Sequence, residues 1–122
     1  MSFNHVVAWI DHAQAHIIHF NREHAENEVV KAHSTHQHGA KGSSHGAESA
    51  HYFDGIANAL QDALEILIVG PGLEKLALMK HLIKHQHAVA EKVLSVETVD
   101  HPSDAQLLAY AKKYFMKADR MR

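Results

Sequence analysis

The chain has 122 residues and no cysteine, so neither a disulfide nor a thiolate can contribute to its fold or chemistry. Apolar residues make up 46% and charged residues 21%, which is a globular composition, and the formal net charge of −2 argues against a strong phosphate binder overall. Because the sequence contains neither an apolar run of roughly 20 residues nor a secretion-signal pattern, we expect one cytoplasmic domain over 1–122, outside the membrane.

Three short strands are predicted at the start of the chain. Val6–Ile10 is a continuous apolar run, which predicts a strand buried on both faces. The polar break from Asp11 to Gln14 suits a hairpin, and two further strands are predicted over 15–20 and 27–33. Together these predict an antiparallel meander. Its edge strand could also pair between chains, which would make a homo-oligomer.

Residues 33–48 contain glycine, serine and histidine but no large apolar side chain, which predicts a mobile surface loop. Loops of this length are often functional, so we predict a partner-binding surface here. It comprises His36, His38, Lys41, Gly42, Ser43, Ser44 and His45. An alternative is a divalent metal site, since neutral imidazoles bind zinc, nickel or copper. Its ligands would be His33, His36 and His38. The sequence predicts no other cofactor.

The second half of the chain alternates between helical and strand patterns. A helix is predicted from Ala47 to Leu64, and a buried strand over 65–69. The next helix is expected to have Pro71 or Gly72 at its first position or cap. Its buried stripe is predicted to be Leu73, Leu76, Met79, Leu82 and Ile83.

A last strand over 93–99 and a last helix complete the pattern. Ser103 and Gln106 match a capping box at the start of that helix. Its inner face is predicted to carry Leu107, Leu108, Ala111, Tyr114 and Phe115. The order βββαβαβα and right-handed crossovers predict an α/β fold: a five-stranded mixed sheet in the order 3-2-1-4-5 with helices on both faces, as in ribonuclease-H-like folds.

Two turns should meet where the parallel strands end, and this strand-end crevice is a candidate site. It would be formed by Gly70, Pro71, Gly72, Asp100, His101 and Ser103. Each turn precedes a helix, and helix N-termini suit phosphate or carboxylate groups. The alternative is that the same residues serve only as turns and caps.

The C-terminal region is basic. Lys112, Lys113 and Lys117 lie in the last predicted helix, and 117–122 forms a basic tail. This pattern indicates either a contact surface for nucleic acid or a solvated helix face.

A metal-dependent nuclease is a further alternative. Two-metal hydrolysis needs several converging carboxylates. Asp11 and Asp100 end two predicted strands, but both are also explained as turn residues.

Several motifs resemble those of a known family. They are Trp9–Asp11, Tyr52–Phe53, Ile68–Gly72, Val96–Thr98 and Asp100–Leu107. The chain resembles small bacterial proteins described as translational machinery proteins, which are related to the middle domain of archaeo-eukaryotic release factors. The resemblance implies the translational machinery component fold and association with the ribosome or RNA.

Release factors of this kind carry a Gly-Gly-Gln motif whose glutamine places a water against the peptidyl-tRNA ester. The corresponding segment here has no Gly-Gly-Gln, and Gln37 is flanked by histidines. The resemblance therefore favours a non-catalytic, translation-associated binding module. The alternatives are a divergent esterase acting on an acyl-tRNA-like substrate, a metal-dependent hydrolase, and a histidine-rich metal-binding protein.

Overall fold

The computed structural model describes residues 5–32 and 45–120, which contain five strands and four helices. In chain order these are β1 (His5–Ile10), β2 (Gln14–Phe20), β3 (Ala25–Lys31), α1 (His45–Leu60), β4 (Glu65–Gly70), α2 (Glu74–His85), α3 (His87–Ala90), β5 (Val93–Thr98) and α4 (Asp104–Arg120).

The five strands form one mixed sheet in the order β3-β2-β1-β4-β5. Strands β1, β2 and β3 pair antiparallel, whereas β4 pairs parallel with both β1 and β5. The predicted α/β architecture and strand order are confirmed. Strand β1 lies in the centre, and its residues Val6 to Ile10 are all buried, as its continuous apolar run predicted.

Helices cover both faces of the sheet, and each face has its own core. Alternate residues of β1 point to opposite faces, so Val6 and Ala8 join one core and Val7 and Trp9 join the other. Helices α1, α2 and α3 pack on the first face through Ile56, Leu60, Leu78, Leu82 and Val89. Helix α4 covers the second face through Leu107, Ala111 and Phe115.

Several predicted boundaries are wrong by a few residues. Strand β3 covers Ala25–Lys31 instead of 27–33. Helix α1 begins at His45, upstream of the first apolar position, and ends at Leu60, because a tight turn leads directly into β4. Leu64 therefore lies in that turn, 64% exposed, and does not pack in the core. The short helix α3 was not predicted.

The predicted buried stripe of α2 is confirmed at Leu82, which is fully buried, and at Met79, which packs against the core, but it is wrong at its other three positions. Its core residues are Leu78 and Leu82, together with the side chain of Lys75. Leu73, Leu76 and Ile83 are instead 77%, 49% and 51% exposed. The helix carries apolar residues on two opposite sides, and a helical period alone does not determine which side faces the sheet.

The predicted start of α2 is also wrong. The helix begins at Glu74, with Leu73 at the cap position and no side-chain cap. The ammonium group of Lys75 donates instead to the carbonyl oxygen of Gly72, which holds the preceding turn against the first helical turn.

Candidate functional site

The two predicted turns lie side by side at the carboxyl edge of the parallel strands. The amide of Val99, after β5, donates to the carbonyl oxygen of Gly70 at 3.0 Å. Gly70 itself packs so closely on β1 that a Cβ atom would lie 2.3 Å from the carbonyl oxygen of Ile10. A side chain at position 70 is therefore incompatible with this edge of the sheet.

Trp9 connects the central strand to the turn that follows β5. Its Nε1 donates to the carbonyl oxygen of Asp100 at 2.7 Å, and its ring lies 5.0 Å from that of His101. Because Trp9 is only 5% exposed, this is a shielded hydrogen bond of a buried side chain. Trp9 was not predicted as a site residue, although it belongs to one of the motifs that carry the family resemblance.

A polar network attaches the start of α4 to β2 and β3. One carboxylate oxygen of Asp104 lies 3.2 Å from Nδ1 of His16, and the other accepts from Nδ2 of Asn27 at 3.1 Å. Nε2 of His16 lies 3.1 Å from Nε2 of Gln14. His16 is the register partner of Trp9, so the two side chains lie on the same face of the sheet. The sequence reasoning did not bring His16 and Asp104 together.

The capping box at α4 is confirmed. The amide of Ser103 donates to the side-chain oxygen of Gln106 at 2.9 Å, and the amide of Gln106 donates to the Ser103 hydroxyl at 3.2 Å. These hydrogen bonds use two of the amides that an anion would need, so Ser103 has a structural role here.

A cavity of about 210 Å³ lies between these groups. It is lined by Trp9, Asp11, Gln14, His16, His101, Pro102, Asp104 and Leu107. Two of the lining residues are carboxylates, so a phosphate placed here would meet like charge. This cavity suits a few water molecules or a small hydrogen-bonding group better than an anion. Of the six residues of the predicted strand-end crevice, His101 alone lines it, so the anion site predicted at that crevice stays a prediction.

Asp11 has a structural role in the β1–β2 hairpin. Its Oδ1 accepts from the amides of Ala13 and Gln14 at 2.8 and 2.9 Å. Its carbonyl oxygen accepts from the hydroxyl of Tyr52 at 2.9 Å. Burial, with smaller contributions from Asp11 and Glu74, raises the pKa of Tyr52 well above its ordinary value, so Tyr52 stays a donor.

No group of three or more metal-ligating side chains that could hold an ion is found within residues 5–32 and 45–120. Nε2 of His81 contacts Oδ1 of Asp54 at 2.7 Å, and its ring lies 4.7 Å from that of His85. The metal ligands predicted at His33, His36 and His38 lie outside the described residues. So do Lys41, Gly42, Ser43 and Ser44 of the predicted partner-binding loop, whereas His45 is the first residue of α1.

The described elements on either side of residues 33–44 each contact the β1–β2 hairpin. Just after β3, the amide of Ala32 donates to the carbonyl oxygen of Ala13 at 2.9 Å, beside the β1–β2 hairpin. On α1, Tyr52 bonds the same hairpin at Asp11. Both flanking elements therefore bond the β1–β2 hairpin.

The predicted basic face of the last helix lies towards the other end of the parallel strands, where β1 begins. Lys112, Lys113 and Lys117 are all exposed on α4. Lys112 lines a groove of about 570 Å³, hereafter the Arg22 groove. The groove also includes His5, Phe20, Asn21, Arg22, Phe115 and Met116.

A turn closed by the side chain of Asn21 places Arg22 at this groove. Oδ1 of Asn21 accepts from the amides of Glu23 and His24 at 2.9 and 2.8 Å. The ring of His5 lies 4.5 Å from that of Phe115, and Nε2 of His5 lies 3.0 Å from a carboxylate oxygen of Glu65. The groove thus combines two cationic side chains with an aromatic floor. Arg22 was missed in the sequence because it is an isolated cation far from the C-terminal lysines.

Comparisons with known proteins identify the fold. No protein-family model matches the chain, and no curated protein matches it. Pelota from Archaeoglobus fulgidus is 16% identical with a TM-score of 0.65, and the match covers 93% of this chain and 32% of that one. Pelota from Thermoplasma acidophilum is 19% identical with a TM-score of 0.64, covering 89% of this chain and 32% of that one. The archaeal translation termination factor aRF1 is 12% identical with a TM-score of 0.61, covering 96% of this chain and 38% of that one.

The likeness to these three proteins extends over nearly the whole chain, which spans about a third of the length of each of those structures. It confirms a release-factor-like α/β fold. In the part of the chain that the structure describes, no helix is long and apolar enough to cross a membrane.

Proposed function

We propose that this chain is a translation-associated domain that binds the ribosome through RNA and is not itself catalytic. The observation that carries the proposal is the fold likeness to Pelota and aRF1 over 93% and 96% of the chain. Membership of the bacterial release-factor-like family, and a place in the cytoplasm, belong to the same proposal.

The Arg22 groove is the RNA-binding surface in this proposal. Arg22 and Lys112 can each neutralise a phosphate, and Lys113 and Lys117 extend the positive charge along α4. His5 offers a partly exposed ring beside the cations, and aromatic rings stack on unpaired bases. Proteins that bind single-stranded nucleic acid commonly combine cations with aromatic rings in this way.

The loop predicted from the sequence supplies a second contact in the proposal. Its residues His36, His38, Lys41 and Ser43 would contact the partner in addition to the Arg22 groove. The non-catalytic assignment is supported by the sequence of 33–44, which has no Gly-Gly-Gln. It is also supported by the polar groups around the cavity, which hold the hairpin and α4 in place.

Co-sedimentation of the untagged chain with ribosomes at low and moderate salt tests the proposal. We expect binding that weakens steeply with salt, because phosphate contacts depend on counterion release. The variant Arg22→Glu with Lys112→Glu should lose most of the binding. The control Lys80→Glu with Lys84→Glu makes the same charge change on α2, across the sheet, and should retain it.

A second variant separates the two contact surfaces. Replacing 36–45 by a Gly/Ser linker should weaken binding if the loop contributes, while leaving its salt dependence in place. If the chain stays in the supernatant at both salt concentrations, the proposal of ribosome binding is wrong. If both charge variants lose binding equally, the attraction is non-specific and the Arg22 groove is not the contact.

A further inference from the structure

Helix α2 presents a second apolar face to solvent. Leu73, Leu76 and Ile83 are 77%, 49% and 51% exposed, although each is a large apolar residue. With Ala77, Met79 and Lys80 they line a groove of about 540 Å³. A contiguous exposed apolar surface often marks an interaction site, whereas single exposed apolar residues are ordinary.

The exposed residues form one continuous stripe. Positions 73, 76, 80 and 83 are spaced by three, four and three residues, so they follow one side of a helix. Leu78 and Leu82 lie on the opposite side and are fully buried. The stripe covers about 15 Å along the helix axis, a length that suits one docked helix.

The charge of this stripe indicates the charge of its partner. Lys80 and Lys84 lie four residues apart on the exposed side of α2. The other positions on this side, 73, 76, 77 and 83, are leucine, alanine or isoleucine. A second copy docking through the same stripe would set Lys80 and Lys84 against their own counterparts if the helices ran parallel, and against leucine and the start of the helix if they ran antiparallel. In neither direction does the stripe offer these lysines a carboxylate, which argues against a symmetric dimer. An acidic partner supplies such carboxylates.

We propose that the outer face of α2 binds an amphipathic helix of another polypeptide, with an apolar stripe over Leu76 and Ile83 and carboxylates opposite Lys80 and Lys84. This surface lies across the sheet from α4 and the Arg22 groove, since α2 and α4 pack on opposite faces. A partner bound here leaves the Arg22 groove free for RNA. The inference stands whether or not the chain binds ribosomes.

The test uses a synthetic, fluorescently labelled peptide of about five helical turns. One peptide has a leucine stripe flanked by glutamates, and its twin has lysines in place of the glutamates. Fluorescence anisotropy with the full chain should show the acidic peptide binding at least about tenfold more tightly than its twin. The variant Lys80→Glu with Lys84→Glu should reverse this preference.

Apolar substitutions locate the contact. The variant Leu76→Ser with Ile83→Ser should weaken binding of the acidic peptide by about tenfold or more. Both side chains are half-exposed, so the fold should persist, which circular dichroism checks. The control Met116→Ser replaces a 58% exposed residue of α4 and should leave peptide binding unchanged.

Four outcomes would overturn the inference. The first is equal binding of the two peptides, and the second is equal loss of binding in the Met116→Ser control. The third is a concentration-dependent dimer in sedimentation equilibrium that Ile83→Ser dissociates, because the stripe would then bind a second copy. The fourth is binding to vesicles of phosphatidylcholine and phosphatidylglycerol without binding to the acidic peptide, which would assign the stripe to a lipid surface.

Discussion

Nε1 of Trp9 donates a 2.7 Å hydrogen bond to the carbonyl oxygen of Asp100, 91 residues later in the chain. The bond joins the central strand to the turn before α4, and the ring of Trp9 also lies 5.0 Å from that of His101. The position of α4 on the second face therefore depends on a side chain of the first strand. The Arg22 groove depends on it too, because α4 supplies Lys112 to that groove.

The variant Trp9→Phe should destabilise the fold by about 1–3 kcal/mol, because it leaves the Asp100 carbonyl without its donor and removes buried ring volume. Urea unfolding followed by circular dichroism measures the change, since the substitution also removes the only tryptophan fluorophore. Tyr110→Phe, on the partly exposed side of α4, serves as the control and should cost less. Equal stability of Trp9→Phe and the parent chain would show that the hydrogen bond is unimportant.

Gly70→Ala should be strongly destabilising. The added Cβ would lie 2.3 Å from the carbonyl oxygen of Ile10, which is backbone and cannot move without separating β1 from β4. We expect a loss of about 1–3 kcal/mol or more, as for overpacked core sites. Gly72→Ala is the matched control two residues away, because a Cβ there meets nothing within 4 Å. It should change the free energy of unfolding by less than about 0.5 kcal/mol.

Two leucines of α2 should differ in how much stability their truncation costs. Leu78 is fully buried, so Leu78→Ala should cost about 2–5 kcal/mol of stability. Leu76 is 49% exposed, so Leu76→Ala should cost well under about 1 kcal/mol. Chemical denaturation of both variants checks the orientation of the helix. A larger loss for Leu76→Ala would mean that the stripe predicted from the sequence packs on the sheet after all.

The side of α2 that faces the sheet could not be predicted from the sequence. The continuous apolar runs of β1 and β4 allow only a central, doubly covered position, so the strand order could be predicted. For α2 both sides carry leucine, and the choice of side is made by the crossover from β4 and by Lys75, which bonds Gly72. A helical period does not contain that tertiary information.

The polar contacts at the carboxyl edge were predictable only in part. The capping box of Ser103 and Gln106 is local and was identified from its spacing. The contact of His16 with Asp104 joins residues on β2 and α4, and no local pattern reports it. Strand alternation could have placed His16 on the face of Phe20, which α4 covers, but not beside a particular carboxylate.

Stability should fall in alkaline solution because of Tyr52. Burial raises its pKa in the folded chain, with Asp11 and Glu74 adding to the shift, whereas the unfolded value stays near 10. Above about pH 10 the unfolded chain releases this proton and the folded chain retains it, so the free energy of unfolding decreases by about 1.4 kcal/mol per pH unit from this group. Below about pH 10 both states hold the proton, and the contribution is fully present.

Tyr52→Phe isolates this effect. The variant should lose about 0.5–1.5 kcal/mol at neutral pH, because its hydrogen bond to the carbonyl oxygen of Asp11 is gone. Its stability should then fall less steeply than that of the parent chain above about pH 10. Urea midpoints measured from pH 8 to 11 in both proteins give the difference, in which the titration of the remaining lysines and tyrosines cancels. Parallel curves across that range would show that Tyr52 ionises equally in the folded and unfolded chain, and that its contact with Asp11 does not shield it from solvent.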